Sequence, residues 1–329
     1  MDRLLFEDIY SLVSAVREHR ELFPLQMNHT QAVNDLIAYY EKIFTTRKFT
    51  GQLRRIKAAA AKIPAVRMLF AYLTTKQIMT IYPQSRCDAY ITDTIDDISK
   101  NEEQYIKAYE LLEEDSKQIF IDLLLLRLTG DFTYMFPHVQ LSGQYFSNKI
   151  KWKEHPNVLD CGAFIGDTFL AFYSMGIIPG HYYLYELDDA NYKKLLDNIK
   201  GKENKVYPRK KGVAAEQTTL YYEALGDSSR LVPYETDQKI EVVKIDEDVK
   251  HPIDFIKMDI EGGEVPALEG ARKIINQYHP TLAICIYHLK DDFWKIPLLI
   301  HELCPEYNRY WIEHYSPGYN ETVLYVDVQ

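Results

Sequence analysis

In VLDCGAFIGDT, residues 158–168, an apolar run ends in an acid, and two glycines four apart then bracket a turn. Asp167 and Thr168 open a helical segment, TFLAFYSMG, which Gly176 closes. Val158 to Asp160 therefore read as a strand feeding a helix through a glycine loop. Gly162 and Gly166 permit the tight turn and a close backbone approach. The helix start offers backbone N–H groups and a positive dipole end to an anionic group. Such a loop cradles a nucleotide-like cofactor at the carboxyl end of a parallel strand.

Asp160 narrows the choice of cofactor. A dinucleotide fingerprint, G-x-G-x-x-G, would place glycine where Asp160 stands. An acid there meets a pyrophosphate at short range with like charge. It suits a ligand bearing an ammonium and a sulfonium, which describes S-adenosylmethionine. The next strand, HYYLYE, ends in Glu186, 26 residues after Asp160. An acid at this place accepts hydrogen bonds from ribose hydroxyls, whichever of the two cofactors is bound. Asp160 also has the plainer reading of a cap or surface acid, and Cys161 that of a small buried residue.

The pattern continues outward from the loop. DANYKKLLDNIK is a helix with Tyr192, Leu195, Leu196 and Ile199 on one face. Shorter extended pieces follow, in KVYPRKKGVAA, TTLYYEAL and KIEVVKID. DFIKMD reads as a strand, EVPALEGARKIINQ as a helix, TLAICIY as a strand and DDFWKIPLLIHEL as a helix. YNRYWIEHY and ETVLYVDV close the chain as paired strands. This alternation predicts a parallel sheet covered on both faces, with an antiparallel edge.

IKMDIEGGEVPALEGA, residues 256–271, is the second dense signal. Asp259 and Glu261 stand at the end of a central strand. Two such acids are costly unless they meet a ligand, a cation or a donor. Glu264 opens the following helix, where its dipole role is an equally good account. His288 follows the strand TLAICIY and falls on the same face. It is either a satisfied structural histidine or a general base toward a hydroxyl.

DCGAFIGDT, YELDDANYKKLLDNI and DFIKMDIEGGEVPALEGA, in this order and spacing, resemble the FkbM-type methyltransferase family over about residues 140–329. The I-K-x-D-x-E-G-x-E segment is the most specific mark. LLEEDSKQIFIDLLLLRLTGD followed by QYF is similar to the lead-in of some members. The resemblance implies a class I Rossmann-like α/β fold with a seven-stranded sheet whose last strand is antiparallel. It implies S-adenosylmethionine as cofactor and methyl transfer, usually to oxygen on sugars or natural products. By position, Asp160, Gly162, Ala163, Phe164, Gly166, Asp167 and Thr168 would form the cofactor loop. Glu186 would bind ribose, and Asp259 and Glu261 would face the methyl-transfer crevice. Many class I enzymes carry a further glycine where Phe164 stands, so the loop path here departs from theirs.

A sugar hydroxyl needs a group to take its proton, and Asp259 and His288 are the candidates. No metal is assigned to the site. A divalent ion held by Asp259, Glu261 and His288 is the alternative, which full activity in excess chelator would exclude.

The 329 residues exceed one ordinary domain. Residues 1–130 read as helices, as in QAVNDLIAYYEKIF and SKQIFIDLLLLRL, the latter closed by Thr129-Gly130. Pro24, Pro64 and Pro83 punctuate them. The expected organisation is an N-terminal helical domain over 1–130, a connector over 131–155 and a catalytic domain over 156–329. The helical part would recognise the acceptor or cover the crevice. A net charge of −10 argues against general affinity for nucleic acid. Lys42 to Cys87 nevertheless holds ten Lys/Arg and no Asp or Glu. That stretch is a solvated surface or a partner for the acidic domain; alternatively it attracts an acidic or phosphate-bearing acceptor. Four scattered cysteines without C-x-x-C spacing, the acidic start MDRLLFEDIY and the lack of a long apolar run suggest a soluble cytoplasmic protein. Competing functions are RNA or protein methylation on the same fold, and a non-catalytic interaction protein.

Overall fold

The computed structural model describes residues 4–23, 93–140, 142–202, 204–225, 229–316 and 318–328. QAVNDLIAYYEKIF, the three prolines and the basic stretch from Lys42 to Cys87 lie outside the described residues. The chain divides into two compact units. One comprises Met1–Glu102, Gln118–Val139 and Ser316–Tyr319, and the other Glu103–Lys117, Gln140–Tyr315 and Asn320–Gln329.

The first unit is helical where described. Helix α1 (Ile9–Glu18) starts at Asp8, whose carboxylate accepts from the Ser11 N–H at 2.8 Å. Next in the chain come α2 (Glu102–Leu111), which belongs to the second unit from Glu103 on, and α3 (Glu114–Thr129), which belongs to the first from Gln118 on. Gly130 ends α3 in the left-handed region.

Residues 103–117 group with the second unit and serve its sheet. The Glu113 N–H donates to the Tyr310 carbonyl at 2.8 Å, and the Ser116 hydroxyl accepts from the Ile312 N–H at 3.0 Å. The backbone of an edge strand is thus covered rather than left as a template for another chain. Arg309 and Lys149 both reach the Glu113 carboxylate, at 3.0 and 2.8 Å.

The second unit begins with β1 (Val158–Cys161), α4 (Asp167–Ser174), β2 (Tyr182–Tyr185), α5 (Asp189–Asn198) and β3 (Val206–Arg209). Next come β4 (Gly212–Val213), β5 (Thr218–Glu223), β6 (Arg230–Val232), β7 (Lys239–Val243) and α6 (Ile245–Asp248). The last part runs β8 (Phe255–Met258), α7 (Glu264–Gly270), α8 (Arg272–Tyr278), β9 (Thr281–Cys285), α9 (Asp292–Leu303), β10 (Arg309–His314) and β11 (Thr322–Asp327). Seven strands form one sheet in the order β10-β11-β9-β8-β1-β2-β3. Strand β11 is antiparallel to both its neighbours, and the other pairs are parallel. The expected class I α/β sheet with its antiparallel last strand is therefore present.

Every residue of β1, β2 and β8 is buried, as strands covered on both faces must be. Phe169 and Phe172 of α4 pack edge-on against Tyr182, with ring centroids 5.1 and 5.7 Å apart, and hold the helix to the sheet.

One region adds a second sheet, and two local expectations need correction. The extended pieces after β3 build a separate four-stranded sheet, β4-β7-β5-β6, around Ala214, Tyr222, Ile240 and Val242. On α5, Leu196 is exposed, and the buried face is Asn191, Leu195 and Ile199. EVPALEGARKIINQ breaks into α7 and α8 at Ala271. Close packing accompanies that break: a Cβ on Gly270 would lie 2.2 Å from the Ala214 carbonyl oxygen. Among the described residues, no helix is long and apolar enough to cross a membrane.

Candidate active site

Register brings the sequence signals to one level. Cys161 aligns with Tyr185 on one side of β1 and with Met258 on the other. The next residues, Gly162, Glu186 and Asp259, therefore leave the sheet together. Strand order reverses at β1, so their loops diverge around a crevice at the carboxyl ends, where ligands bind in such sheets.

The glycine loop is tied down from below. Gly162 (φ +78°) runs so close to β8 that a Cβ there would lie 1.9 Å from the Asp259 carbonyl oxygen. The N–H groups of Gly162 and Ala163 both donate to the Tyr185 carbonyl, at 3.0 and 2.9 Å. Gly166 (φ +80°) caps α4 with no side-chain hydrogen bond. Ala163 and Thr168 are buried, whereas Asp167 is exposed. Phe164 takes a left-handed backbone (φ +47°), which explains why glycine suits this place in related loops. Its N–H donates to Glu186 Oε2 at 2.9 Å, and Glu186 Oε1 accepts from the Asp188 N–H at 2.7 Å. Burial pushes the Glu186 carboxyl up to about 7, against the pull of these two donors.

Asp160 is fully buried, inside β1 rather than at its open end. Its partner is Lys257 of β8, which is also buried, with Nζ 3.2 Å from Asp160 Oδ1. The Tyr182 hydroxyl donates to the other carboxylate oxygen at 3.2 Å. Burial pushes Asp160 up to about 6 while Lys257 draws it down. Burial would lower Lys257, but Asp160 and Asp259 outweigh it and keep the ammonium charged. Lys257 Nζ also donates to the Gly162 carbonyl at 2.5 Å. One buried cation thus joins β8, the end of β1 and the glycine loop.

Asp259 is the hub of the other side. Tyr145 donates to its Oδ2 at 2.7 Å, and Tyr287 to its Oδ1 at 3.2 Å. His288 Nε2 lies 3.3 Å from Asp259 Oδ1 and 3.8 Å from Glu261 Oε2. Its Nδ1 lies 3.0 Å from Oε1 of Glu264, a buried carboxylate. Burial would raise Asp259, but His288, Lys257 and Tyr145 hold it well below the usual carboxylate range. Burial would likewise lower His288, yet Glu264 and Asp259 hold the ring protonated well above its usual range. A protonated ring has no lone pair to receive a proton. In this state His288 faces Asp259 and Glu264 through its two ring nitrogens.

Two cations meet these acids in space: Lys257, two residues before Asp259 in the sequence, and His288. Glu264 does more than favour a helix dipole. It accepts from the Ile260 N–H at 2.9 Å and faces His288. Tyr145 and Tyr287 gave no signal in the sequence, since the Tyr145–Asp259 contact spans 114 positions. Lys257 did leave a signal: it is a lysine inside an apolar strand. Strain marks the same place. Of six non-glycine residues with left-handed backbone among those described, four are Tyr145, Phe164, Glu261 and Glu321. The Glu321 carboxylate accepts from Gln144, beside Tyr145, at 2.5 Å. Such conformations cost on the order of 1 kcal/mol or more each and collect at functional sites.

Residues 160–315 match the Methyltransferase FkbM domain. Among solved structures, the chain is similar to methyltransferase FkbM from Methylobacillus flagellatus KT, with 19% identity and a TM-score of 0.68. That likeness covers 97% of this chain and 99% of that one. An rRNA methylase from Streptococcus thermophilus (14% identity, TM-score 0.36) covers 54% of this chain and 89% of its own. An O-methyltransferase from Bacillus cereus (15%, TM-score 0.33) covers 53% and 74%. At these TM-scores the last two say nothing of this chain's chemistry. No curated protein matches the chain significantly. The glycine loop and the Asp259 turn both lie within the stretch, residues 160–315, that is similar to the methyltransferase FkbM domain.

Proposed function

We propose that the chain is an S-adenosylmethionine-dependent methyltransferase that acts on a hydroxyl oxygen of a sugar, glycan or natural product. The observation that carries this reading is the shared level of Gly162, Glu186 and Asp259, which puts a cofactor cradle beside a partly exposed carboxylate. The cradle fits the cofactor: Gly162 has no room for a Cβ, and the buried Glu186 offers acceptor oxygens for ribose. Bound S-adenosylmethionine supplies a methyl group already activated on a sulfonium.

The protein's tasks are alignment at roughly 3–3.5 Å and exclusion of water. Asp259 orients the acceptor hydroxyl and receives its proton. A carboxylate held at low basicity suffices, because the proton becomes strongly acidic only as the new carbon–oxygen bond forms. Tyr145, Tyr287 and His288 hold Asp259 in that role. Glu261 lines the same crevice. The helical N-terminal part is assigned acceptor recognition or covering.

Within the crevice, Lys257 and His288 are both committed to carboxylates, which favours a neutral acceptor over a phosphate-bearing one. Charge reversal at Arg54 and Arg55 tests the basic stretch: weaker acceptor binding by the variant, together with salt-sensitive binding by the parent, would bring the acidic acceptor back. Calorimetry with S-adenosylmethionine separates an enzyme from a non-catalytic protein, since the latter shows no heat of binding. A gain of one methyl mass on a panel of glycans and polyols supports the O-methyl reading, whereas methylation of tRNA with salt-dependent binding would replace it.

The Glu186 carboxyl carries a pH signature. Its folded pKa of about 7 leaves it protonated below neutrality, when it loses acceptor capacity for ribose hydroxyls. Cofactor affinity should therefore fall as pH drops from 8.5 to 6. Glu186→Gln should bind about tenfold more weakly at high pH, the worth of one charged hydrogen bond. It should also lose this part of the pH dependence. Parallel pH profiles for parent and variant would remove Glu186 from cofactor binding.

A further inference from the structure

The ligand-capable atoms of Asp259, Glu261 and His288 all lie within 4.8 Å of one another. An ion about 2.1 Å from each of three ligands requires them to stand roughly 3.0–3.5 Å apart. The distances of 3.3 and 3.8 Å from His288 Nε2 to the two carboxylates are close to that spread. The ring itself points to a ligand. The His288 side chain is 5% exposed, yet neither ring nitrogen forms an aligned hydrogen bond despite the carboxylates around it.

The far side of the ring completes the pattern. A metal-bound histidine turns its other ring nitrogen to a carboxylate, which fixes its orientation. Here Nδ1 faces Glu264 at 3.0 Å, and Glu264 is itself anchored by the Ile260 N–H. The tyrosine hydroxyls on Asp259 play the equivalent part for that ligand. Glu261 reaches the group from a left-handed backbone at φ +56°. The Asp259 and Glu261 side chains remain 24% and 27% exposed, which leaves a way in and open coordination positions.

We propose that Asp259, Glu261 and His288 bind one divalent metal ion, with Glu264 as the positioning residue behind His288. One imidazole and two carboxylates suit Mn2+ or Zn2+ better than Mg2+, which prefers oxygen ligands and retains its waters. Binding displaces the proton from the ring. The ion lowers the pKa of an acceptor hydroxyl beside it, and this role rests on the methyl-transfer reading above. The binding does not.

The test uses the full chain stripped with chelator and titrated with MnCl2, followed by calorimetry and the Mn2+ electron paramagnetic resonance signal. One saturable ion per chain is expected. Glu261→Gln, at a partly exposed position, should weaken binding at least tenfold without lowering the melting temperature. Glu264→Gln should weaken it about 10- to 100-fold, the range for such supporting groups. No saturable binding of Mn2+ or Zn2+ up to millimolar concentration, or equal binding by Glu261→Gln, overturns the site. Methyl transfer that stops in chelator and returns with Mn2+ supports the role. Transfer undiminished in chelator, by protein that still binds Mn2+ in the titration, overturns the role alone. Absent S-adenosylmethionine binding would overturn the methyl-transfer reading and leave the metal titration valid.

Discussion

Gly162→Ala should abolish measurable cofactor binding and destabilise the sheet-bearing unit. The added Cβ would stand 1.9 Å from the Asp259 carbonyl oxygen, 2.9 Å from its carbon and 3.1 Å from Ile260 Cγ2. Two of those atoms are backbone and cannot rotate away. Either the glycine loop lifts or the Asp259 turn is driven outward, and both line the crevice. Left-handed backbone at φ +78° adds about 1 kcal/mol for any residue with a Cβ. With overpacking of about 1–3 kcal/mol on top, a loss of roughly 2–4 kcal/mol is expected. Cofactor affinity should fall at least ~100-fold, since the cradle itself is displaced.

Gly176→Ala isolates the cause. Gly176 has nearly the same backbone (φ +77°) but nothing within 4 Å of an added Cβ. It should cost only the conformational term of about 1 kcal/mol and leave cofactor affinity unchanged. Calorimetry and thermal melting of both variants decide the matter. Equal behaviour of the two would show that the close approach of loop and turn does not build the site.

These glycines also show what a one-dimensional pattern can carry. The spacing of Gly162 and Gly166 is local, and their left-handed angles follow from a strand-to-helix turn, so the loop could be read directly. Alternation of apolar runs and helical periods likewise exposed the parallel sheet and its antiparallel edge, while the count of seven strands came with the family resemblance. Register was not visible, and register is what sets Gly162, Glu186 and Asp259 side by side. Phe164 departed from the glycine pattern, and the structure places it in the conformation that glycine favours, with its N–H bound to Glu186. Asp160 reads in the sequence as an acid facing a ligand, or as a cap or surface acid. Its neighbour across the β1–β8 pair, Lys257, was written in the sequence as an isolated lysine in an apolar strand. Partners of this kind come from pairing between distant segments, which local periodicity does not encode. The same holds for Tyr145, drawn to Asp259 from a segment that reads as a connector.

Lys257→Met should be the most damaging single change in the buried lattice under the site. Methionine matches the volume of the stem but leaves Asp160 with no cation in a position of zero exposure. Breaking a buried pair on one side costs about 3–5 kcal/mol. For a domain of this size that is a fall on the order of 10 °C in melting temperature. The loss should depend on pH, with a sign set by Asp160. Its folded pKa, already raised to about 6 beside Lys257, rises further once the ammonium is gone. A carboxyl with a raised folded pKa is stable in its neutral form. Its contribution is therefore present below the unfolded value of about 3.9 and lost as pH climbs through the folded one. Lys257→Met should accordingly be weakest at pH 8 and recover part of its deficit at pH 5. Asp160→Asn in the same chain removes the stranded charge, so the double variant should be more stable at pH 8 than Lys257→Met alone. The pH dependence should vanish with it. The Gly162 carbonyl loses its donor in both variants, so cofactor affinity should stay reduced even where stability returns. Urea denaturation at the two pH values, with cofactor titration of each variant, separates these effects. A Lys257→Met protein as stable at pH 8 as its parent would mean that Asp160 is held by something other than this cation.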